Sequence, residues 1–298
     1  MSIVNKNLWE QILTEGERLG IPKTKKRGII REFLQTQILY HLYNIKDSRY
    51  FIFTGGTSLR FLYDNKRLSE DLDFDFFKKD ISIKSILEKI IEKQTGNEKG
   101  QIDFKFTSKE NGVTAYFKYK TLLFDLKISQ MIEEKLVIKF DFSYPEDKIS
   151  PVEKIFSKFG FLQTALTYDS SSLLSFKTRA LFTRKMERGR VIYDIAKLLS
   201  HNIKPNFEVK FLKDKNIKTM DDYFLLLRSW YEKNHNLLKY LKKQVQPFLI
   251  DEQELKYIDL VFKKNNKMKI ISSTSSSHLS LHDSPQSQTP NSFLVVNK

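Results

Sequence analysis

The chain has 298 residues, enough for one large domain or two modest ones. It contains no cysteine, which excludes disulfides and thiolate metal sites, and no apolar run approaches the length of a membrane span. The first residues lack a signal-peptide pattern, so we expect a cytoplasmic protein without a membrane segment. The formal net charge of +15 favours a polyanionic partner, by default RNA or DNA, although a lysine-rich composition bias would produce the same charge.

Apolar periodicity predicts two N-terminal helices, at residues 7–20 and 28–45, before the first strand. The strand is predicted at residues 49–54, which are rich in β-forming side chains. A glycine turn follows it directly. The chain therefore begins with two helices that precede a strand–turn–helix unit.

The glycine turn consists of Gly55 and Gly56, which allow backbone torsion angles that other residues avoid. Thr57 or Ser58 is expected to cap the helix that follows. A strand, a glycine turn and a helix start expose several backbone N–H groups to an anion. We predict that these four residues bind the phosphates of a nucleotide, although an ordinary strand-to-helix turn has the same sequence pattern.

Acidic and apolar side chains alternate strictly over residues 71–76. The alternation predicts a strand with Asp71, Asp73 and Asp75 on one face and apolar side chains in the core. Carboxylates at positions i and i+2 repel each other, and a shared magnesium ion would offset that repulsion. We predict that Asp71 and Asp73 bind magnesium, whereas Asp75 could simply face water. A solvated edge strand would alternate in the same way, but the nearby glycine turn favours the metal site.

Two polar residues just before this strand are further candidates. Arg67 and Ser69 are expected to orient the carboxylates or to contact a phosphate of the nucleotide. After the strand, periodicity predicts a helix at residues 81–94. Three more strands are predicted at residues 102–107, 113–124 and 136–144, with Asn111-Gly112 as a hairpin turn between the first two.

A third carboxylate is expected because two-metal phosphoryl transfer usually uses one near the attacking hydroxyl group. Asp141 lies on the polar face of the predicted strand 136–144, which could pair beside residues 71–76. We favour Asp141 as a metal ligand and as the base for the acceptor hydroxyl. Asp125 is the alternative, and either residue could instead be a polar side chain on a half-exposed strand.

Six basic residues fall within fourteen positions of a predicted helical region, residues 173–199. Lys177, Arg184 and Arg188 lie four or seven positions apart, so we expect them to share a helix face. Lys177 and Arg184 are predicted to bind the triphosphate, although a charge run is more often a solvated face. Asp194 is expected to pair with Lys177 or with an arginine, or to anchor the packing of the helix.

Together these motifs resemble the AbiEii-type nucleotidyltransferase toxins, a family in the superfamily of beta-type DNA polymerases. The family pattern of Gly-Gly-Thr/Ser and then Arg-x-Ser-x-Asp-Leu-Asp-Phe is matched by residues 55–57 and 67–74. A helical Lys-x-Arg-Ala-Leu and a later Arg-Asp-x-Tyr-Asp correspond to residues 177–181 and 190–194. Val191 replaces the first aspartate of the last motif, which removes any role carried by that position.

The resemblance implies an α+β fold, in which a small mixed sheet flanked by helices precedes a helical C-terminal region. We expect a nucleotidyltransferase core with N-terminal helices at residues 1–150. A mainly helical region with the basic nucleotide-binding helix would occupy residues 151–271, including a helix at 219–245. A tail rich in Ser, Gln, Asn and Pro, residues 272–298, is expected to be disordered.

The resemblance also implies a metal-dependent nucleotidyltransferase that acts as the toxin of a bacterial toxin–antitoxin or phage-defence system. The implied substrate is a nucleoside triphosphate with Mg²⁺, the implied acceptor is RNA, in particular the 3′ end of tRNA, and a cognate antitoxin is the implied partner. The expected catalytic residues are Asp71, Asp73, Asp141, Lys177 and Asp194. Two other functions stay open: transfer of a nucleoside monophosphate to a protein hydroxyl group, and RNA binding by a catalytically inactive basic module.

Overall fold

The centre of the fold is a mixed β-sheet. The computed structural model describes residues 3–77, 81–96, 100–185 and 188–262. Within these residues the sheet has seven strands: β1 (Phe51–Thr54), β2 (Asp71–Phe76), β3 (Ile102–Lys109), β4 (Gly112–Tyr119), β5 (Leu136–Ser143), β6 (Val152–Lys158) and β7 (Phe161–Thr167). Their order across the sheet is β3-β4-β5-β2-β1-β7-β6. β2 pairs with β5 and β1 pairs with β7 in parallel, and the other neighbours are antiparallel.

Helices cover the sheet and form the C-terminal region. The described helices are α1 (Lys6–Arg18), α2 (Lys26–Tyr43), α3 (Gly55–Leu62), α4 (Ile83–Thr95), α5 (Leu122–Asp125), α6 (Ser170–Thr183), α7 (Arg188–Ser200), α8 (Lys210–Asp214), α9 (Met220–Asn234), α10 (Leu238–Val245) and α11 (Lys256–Phe262). None of them is long and apolar enough to span a membrane. The mixed sheet and the helical C-terminal region confirm the predicted α+β fold.

Two apolar cores lie against the two faces of β1, an interior strand of the sheet. Phe51 and Phe53 belong to the core that contains α1, α2 and α4, whereas Ile52 belongs to the core formed with α6, α7, α9 and α10. A strand that is buried on both faces needs consecutive apolar residues, which explains the run at this position. Asp75 pairs with Ile52, so the acidic face of β2 is turned toward α6 and α7.

The sheet continues through β6 and β7, past residue 150, where we predicted a domain boundary. Both strands belong to one hairpin, and β7 pairs with β1 near the middle of the sheet. The two-residue turn is formed by Phe159 and Gly160, which both have positive φ angles, of 49° and 78°. A turn with two positive φ angles usually has Asn-Gly or Asp-Gly, and Phe-Gly lacks that signature. Pro145 and Pro151 instead suggested a domain change.

Other differences concern the ends of elements. β4 stops at Tyr119 and the chain turns into α5, so the strand predicted to reach residue 124 is shorter. The basic region, predicted to hold one or two helices, forms two, because α6 ends at Thr183 and Arg184 has an extended backbone. The side chain of Arg188 and the predicted tail at residues 272–298 lie outside the described residues.

Candidate active site

Acidic side chains of two neighbouring strands line one cavity. Asp71, Asp73 and Asp75 are half-buried in β2, between fully buried apolar neighbours. β5 runs parallel to β2, and the register sets Asp141 opposite Asp73. Because residues opposite each other on paired strands share a face, the Asp141 carboxylate lies beside the acids of β2. β5 therefore lies where we expected it, and the catalytic role of Asp141 stays a prediction.

The alternative third carboxylate lies elsewhere. Asp125 is the last residue of α5, where its exposed side chain accepts a hydrogen bond from Thr121 Oγ1 at 2.9 Å. It does not line the cavity that contains Asp71, Asp73 and Asp141. Of the two carboxylates that we considered, the structure leaves Asp141 as the candidate.

The glycine turn contacts the acids directly. Gly55 has a φ of 80°, and a Cβ atom on it would lie 2.0 Å from Oδ2 of Asp73. A Cβ atom on Gly56 would lie 2.5 Å from Nη2 of Arg67 and 2.9 Å from Oγ of Ser69. Any larger residue at either position would displace these side chains. Since α3 begins at Gly55, the free backbone N–H groups of its first turn are next to the carboxylates.

Thr57 and Ser58 have a different role from the predicted one. The N-cap of α3 is Thr54, so the prediction that Thr57 or Ser58 caps the helix is wrong. Both are fully buried and do not line the cavity. The hydroxyl group of Thr57 donates to the backbone oxygen of Asp71, and that of Ser58 donates to the backbone oxygen of Gly55 at 3.1 Å. Thr57 therefore fastens α3 to β2 beneath the site, whereas the Ser58 contact stays within the first turn of α3.

A buried ion cluster forms the floor of the cavity. Asp194 accepts two hydrogen bonds from the guanidinium group of Arg67, at 2.6 and 2.7 Å, and pairs with Nζ of Lys177 at 2.8 Å. Nδ2 of Asn65 donates a further hydrogen bond to Asp194 at 2.8 Å. We call Asp194, Arg67 and Lys177 the Asp194 cluster. The Asp194 carboxylate is fully buried and pairs with both cations, whereas we expected Lys177 or an arginine, and its catalytic role stays a prediction.

The acids and the cluster shift each other's protonation equilibria. Burial raises the pKa of Asp71, and burial together with the charge of Asp71 raises the pKa of Asp73 to about 6. Burial lowers the pKa of Lys177, against the attraction of Asp194. Burial alone would raise the pKa of Asp194, but the charges of Arg67 and Lys177 hold it below its ordinary value. The site thus keeps two carboxylates under mutual repulsion beside a buried lysine.

Two of the carboxylates in the cavity, Asp71 and Asp73, are suited to bind a magnesium ion. Among the described residues, no group of three or more His, Cys, Asp or Glu side chains has the arrangement of a metal site. Asp71 and Asp73 are nevertheless adjacent on one face, and the raised pKa of Asp73 reflects burial and then the repulsion by Asp71, which a divalent cation would relieve. Magnesium usually takes one or two carboxylates and completes its shell with water and phosphate oxygens. These two residues suit that donor set.

Asp141 is held by neighbours that sequence reasoning did not assign to the site. Its Oδ1 accepts a hydrogen bond from Oγ1 of Thr114 at 2.6 Å, and its Oδ2 pairs with Nζ of Lys139. Lys109 is farther away, with its Nζ 3.7 Å from Oδ1. Lys139 precedes Asp141 by two residues on the same strand face, so alternation could have identified it. Thr114 comes from β4, and no signal in the sequence connects it to Asp141.

The other predicted nucleotide-binding residues meet at the cavity. Ser69 and Arg184 line it, and Arg184 does so from the residue after α6 rather than from a shared helix face with Lys177. Arg190, on α7, is a further lining cation, and its Nη1 lies 3.4 Å from a carboxylate oxygen of Glu70. Lys177 and Arg184 thus line one cavity without lying on one continuous helix, and their binding of the triphosphate stays a prediction.

The cavity has a volume of about 660 Å³, which is within the usual range for a small-molecule site. The acids and the glycine turn form one part. Another part is formed near Asp75, whose Oδ2 accepts a hydrogen bond from the hydroxyl group of Tyr168 at 2.9 Å. There Phe176 and Arg179 line the wall, with the guanidinium carbon 5.4 Å from the ring centroid. Asp75 is thus engaged by the protein rather than facing water.

Comparisons with solved structures concern the fold. A crystal structure of a "putative nucleotidyltransferase from H. pylori" aligns with a TM-score of 0.50 and 17% identity, over 79% of this chain and 93% of that one. The crystal structure of JHP933 from Helicobacter pylori aligns with a TM-score of 0.49 and 16% identity, over 79% and 90% of the two chains. At this identity the first likeness supports the fold alone. No curated protein matches the chain.

The family comparison covers most of the chain. A family model described as "Nucleotidyl transferase AbiEii toxin, Type IV TA system" matches residues 37–259. The match includes the glycine turn, the acids of β2 and β5, and the whole Asp194 cluster. The chain therefore belongs to the AbiEii family of nucleotidyltransferase toxins, the toxin components of type IV toxin–antitoxin systems.

Proposed function

We propose that this nucleotidyltransferase transfers a nucleoside monophosphate from a magnesium-bound nucleoside triphosphate to a hydroxyl group of RNA, in particular the 3′ end of tRNA. One observation carries the proposal: Asp71, Asp73 and Asp141 share a cavity with the glycine turn and with Lys177. The acids offer oxygen ligands to a hard cation, and the turn and the lysine offer donors to phosphate. A cavity with both features suits a substrate that is a polyanion and a magnesium ligand.

The protein groups would divide the binding of the triphosphate among them. Backbone N–H groups at the start of α3 would hold phosphate oxygens, since the two glycines keep side chains out of the way. Lys177 and Arg184 would offset the negative charge that builds on the leaving pyrophosphate. Asp71 and Asp73 would hold magnesium, which when bound neutralises phosphate charge and orients the reacting groups.

Asp141 is our candidate base for the acceptor. The acceptor oxygen would form a bond to the α-phosphorus, the bond from that phosphorus to pyrophosphate would break, and the hydroxyl proton would pass to the Asp141 carboxylate. Lys139 and Thr114 support this role because they fix the orientation of the carboxylate within the cavity. Asp141 also stays our candidate third magnesium ligand, a role in which it would exchange its contact with Lys139.

The RNA acceptor is supported by charge rather than by the geometry of the acids. The net charge of +15 favours association with a polyanion, and RNA binding should weaken steeply as salt concentration rises. We further propose that a cognate antitoxin, implied by the family, controls the enzyme, and that it acts in the cytoplasm. The protein acceptor and the inactive RNA-binding module remain the outcomes that a test must separate.

The test is incubation with each α-labelled nucleoside triphosphate, magnesium and total bacterial RNA, beside an Asp71→Ala/Asp73→Ala variant. We expect label in a tRNA-sized band only with the intact pair of acids, and the labelled nucleotide names the substrate. Label in protein bands would replace the RNA acceptor by a protein hydroxyl group. If no label is transferred although the wild-type protein binds RNA, the proposal of RNA transfer is overturned in favour of the binding module.

A further inference from the structure

A second cavity, of about 490 Å³, lies next to the candidate active site. It is formed at the start of α2, and Leu68, Ser69 and Glu70 line it from the segment that leads into β2. Ser69 also lines the first cavity, and the next strand residue after Glu70 is Asp71. The two cavities are therefore neighbours on either side of one short segment. Pro247 and Phe248 provide an apolar wall of the second cavity.

Basic side chains dominate the lining of this cavity. They are Lys25, Lys26, Arg27, Arg31 and Lys127. Among the described residues, two carboxylates pair with these side chains. Glu70 pairs with Arg31 at 3.0 Å, and Glu134 pairs with Arg27. Lys25 donates a hydrogen bond to an uncharged acceptor, the backbone oxygen of Pro247, at 3.0 Å. Since five basic groups meet two acids, the cavity has an excess of positive charge.

The start of α2 adds to the attraction of this cationic lining for an anion. α2 is 18 residues long, and its N-cap, Lys25, provides no side-chain hydrogen bond to the first turn. The helix start thus offers unsatisfied N–H groups and a partial positive charge. Arg31, in the second turn of α2, lines the same cavity and is held against Glu70 at 3.0 Å.

We propose that this cavity binds backbone phosphates of the acceptor RNA, close to the end that enters the active site. The inference rests on the proposed function, because it supplies the path by which an RNA end reaches Asp71. An excess of cations and a helix start without a side-chain cap suit phosphate groups. Phe248 adds an aromatic ring, with the guanidinium carbon of Arg190 4.8 Å from its centroid, at which an unpaired base or ribose can pack.

RNA suits this cavity better than an acidic protein segment does, because the cavity lies next to the active site. The cavity shares Ser69 with the first cavity, so a ligand that fills it lies next to whatever occupies the active site. An acceptor strand must extend outward from its reacting hydroxyl group, and its next phosphates need a basic surface next to the acids. The second cavity is such a surface.

The test is the double variant Lys26→Glu/Lys127→Glu, in the full chain. Both lysines are exposed, and a glutamate in the first turn of α2 is favourable for the helix, so folding should be preserved. The matched control is Lys89→Glu/Lys93→Glu, two exposed lysines of α4 that line neither cavity. The dissociation constant for a fluorescent single-stranded RNA is measured at several salt concentrations without nucleotide. Binding of magnesium–nucleotide is measured separately.

We expect the Lys26/Lys127 variant to bind RNA about tenfold more weakly, with the slope of log affinity against log salt smaller by about 1.4, since two phosphate contacts are lost. Nucleotide binding should be unchanged in both variants, and the control should bind RNA as the wild type does. Equal losses in the two variants would overturn the inference, because they would show a general effect of charge. Unchanged RNA binding together with lost binding of an acidic peptide would assign the cavity to a protein partner instead.

The two proposals fail in different ways. If wild-type protein binds RNA through Lys26 and Lys127 but transfers no label, the proposed function is overturned and the assignment of the cavity to RNA stands. If label is transferred and the Lys26/Lys127 variant has an unchanged KM for RNA, the proposed function stands and the cavity assignment is overturned.

Discussion

Two buried ion clusters of the same composition lie in different parts of the molecule. Each has one carboxylate that pairs with one arginine and one lysine. The Asp194 cluster forms the floor of the active-site cavity. The second, which we call the Glu32 cluster, joins α2, α3 and β6 and consists of Glu32, Arg60 and Lys158.

The clusters differ in what surrounds them rather than in their own geometry. The Glu32 cluster has donor–acceptor distances of 2.7–3.2 Å and lines neither of the two cavities. In the Asp194 cluster, Arg67 and Lys177 also interact electrostatically with Asp73. A buried ion pair is thus weak evidence for function or for stability on its own. We connect a cluster with the reaction only when it lies beside the acids of β2.

The largest effect is expected for Asp73, the acid that distinguishes the surroundings of the two clusters. Asp73→Asn should lower the rate of nucleotide transfer at least about a thousandfold, since several kcal/mol of metal-dependent stabilisation would be lost. The matched control is Asp75→Asn, on the same face of β2, which is engaged by Tyr168 and should lose less than about tenfold. Transfer of α-labelled nucleotide is the measurement. Full activity of Asp73→Asn would refute the assignment of the acids.

A second contrast concerns the two buried lysines. Lys177→Met should lower kcat/KM for the nucleoside triphosphate about a hundredfold, because this lysine lines the cavity beside the glycine turn. Lys158→Met should leave kcat/KM close to that of the wild type at temperatures where the protein is folded. Steady-state kinetics with thermal unfolding curves separate the two effects. Similar kinetic losses in both variants would mean that the Asp194 cluster has no special relation to the substrate.

How much of the site the sequence predicts depends on how far apart along the chain the contacting residues are. Alternation within residues 71–76 and 136–144 is local, so it identified the faces that bear Asp73 and Asp141 correctly. The glycine turn is local too, and its place next to the acids was predicted. The side chain of Thr57, however, points inward and contacts the backbone of Asp71, and no local pattern in the sequence indicates that contact.

Long-range pairing explains what could not be predicted. Arg67 and Asp194 are 127 positions apart, and the sequence indicated only that Asp194 needs a cation. The choice of Arg67 and Lys177 together follows from the packing of α6 and α7 against the sheet. The hairpin of β6 and β7 was missed for a different reason, since Phe159 adopts a positive φ angle that its residue type does not suggest.

A third contrast tests stability. Asp194→Asn and Glu32→Gln each leave two buried cations without a carboxylate, so each should lower the free energy of unfolding by about 3–5 kcal/mol. Urea unfolding of the two variants gives these values. Only Asp194→Asn should also lower the transfer rate of the folded protein, because Arg67 and Lys177 would lose their orientation. A loss of activity in folded Glu32→Gln would remove the distinction between the clusters.

The smallest effect is the dependence of stability on pH. Burial alone would raise the pKa of Glu32, but the charges of Arg60 and Lys158 lower it. A carboxyl group with a lowered folded pKa stabilises the protein above its unfolded pKa, near 4, and this contribution disappears as pH falls toward the folded pKa.

Below about pH 4 the wild type should therefore lose up to about 1.4 kcal/mol of unfolding free energy per pH unit through Glu32. Glu32→Gln lacks this contribution, so the difference in stability between wild type and variant should shrink as the pH is lowered. Urea unfolding between about pH 6 and pH 3 measures it, with Asp64→Asn, whose side chain is 72% exposed, as the control for the loss of one charge. A difference that stays constant over this range would mean that Glu32 has the same proton affinity in the folded and unfolded chain. The two cations would then not hold its charge as the geometry of the cluster requires.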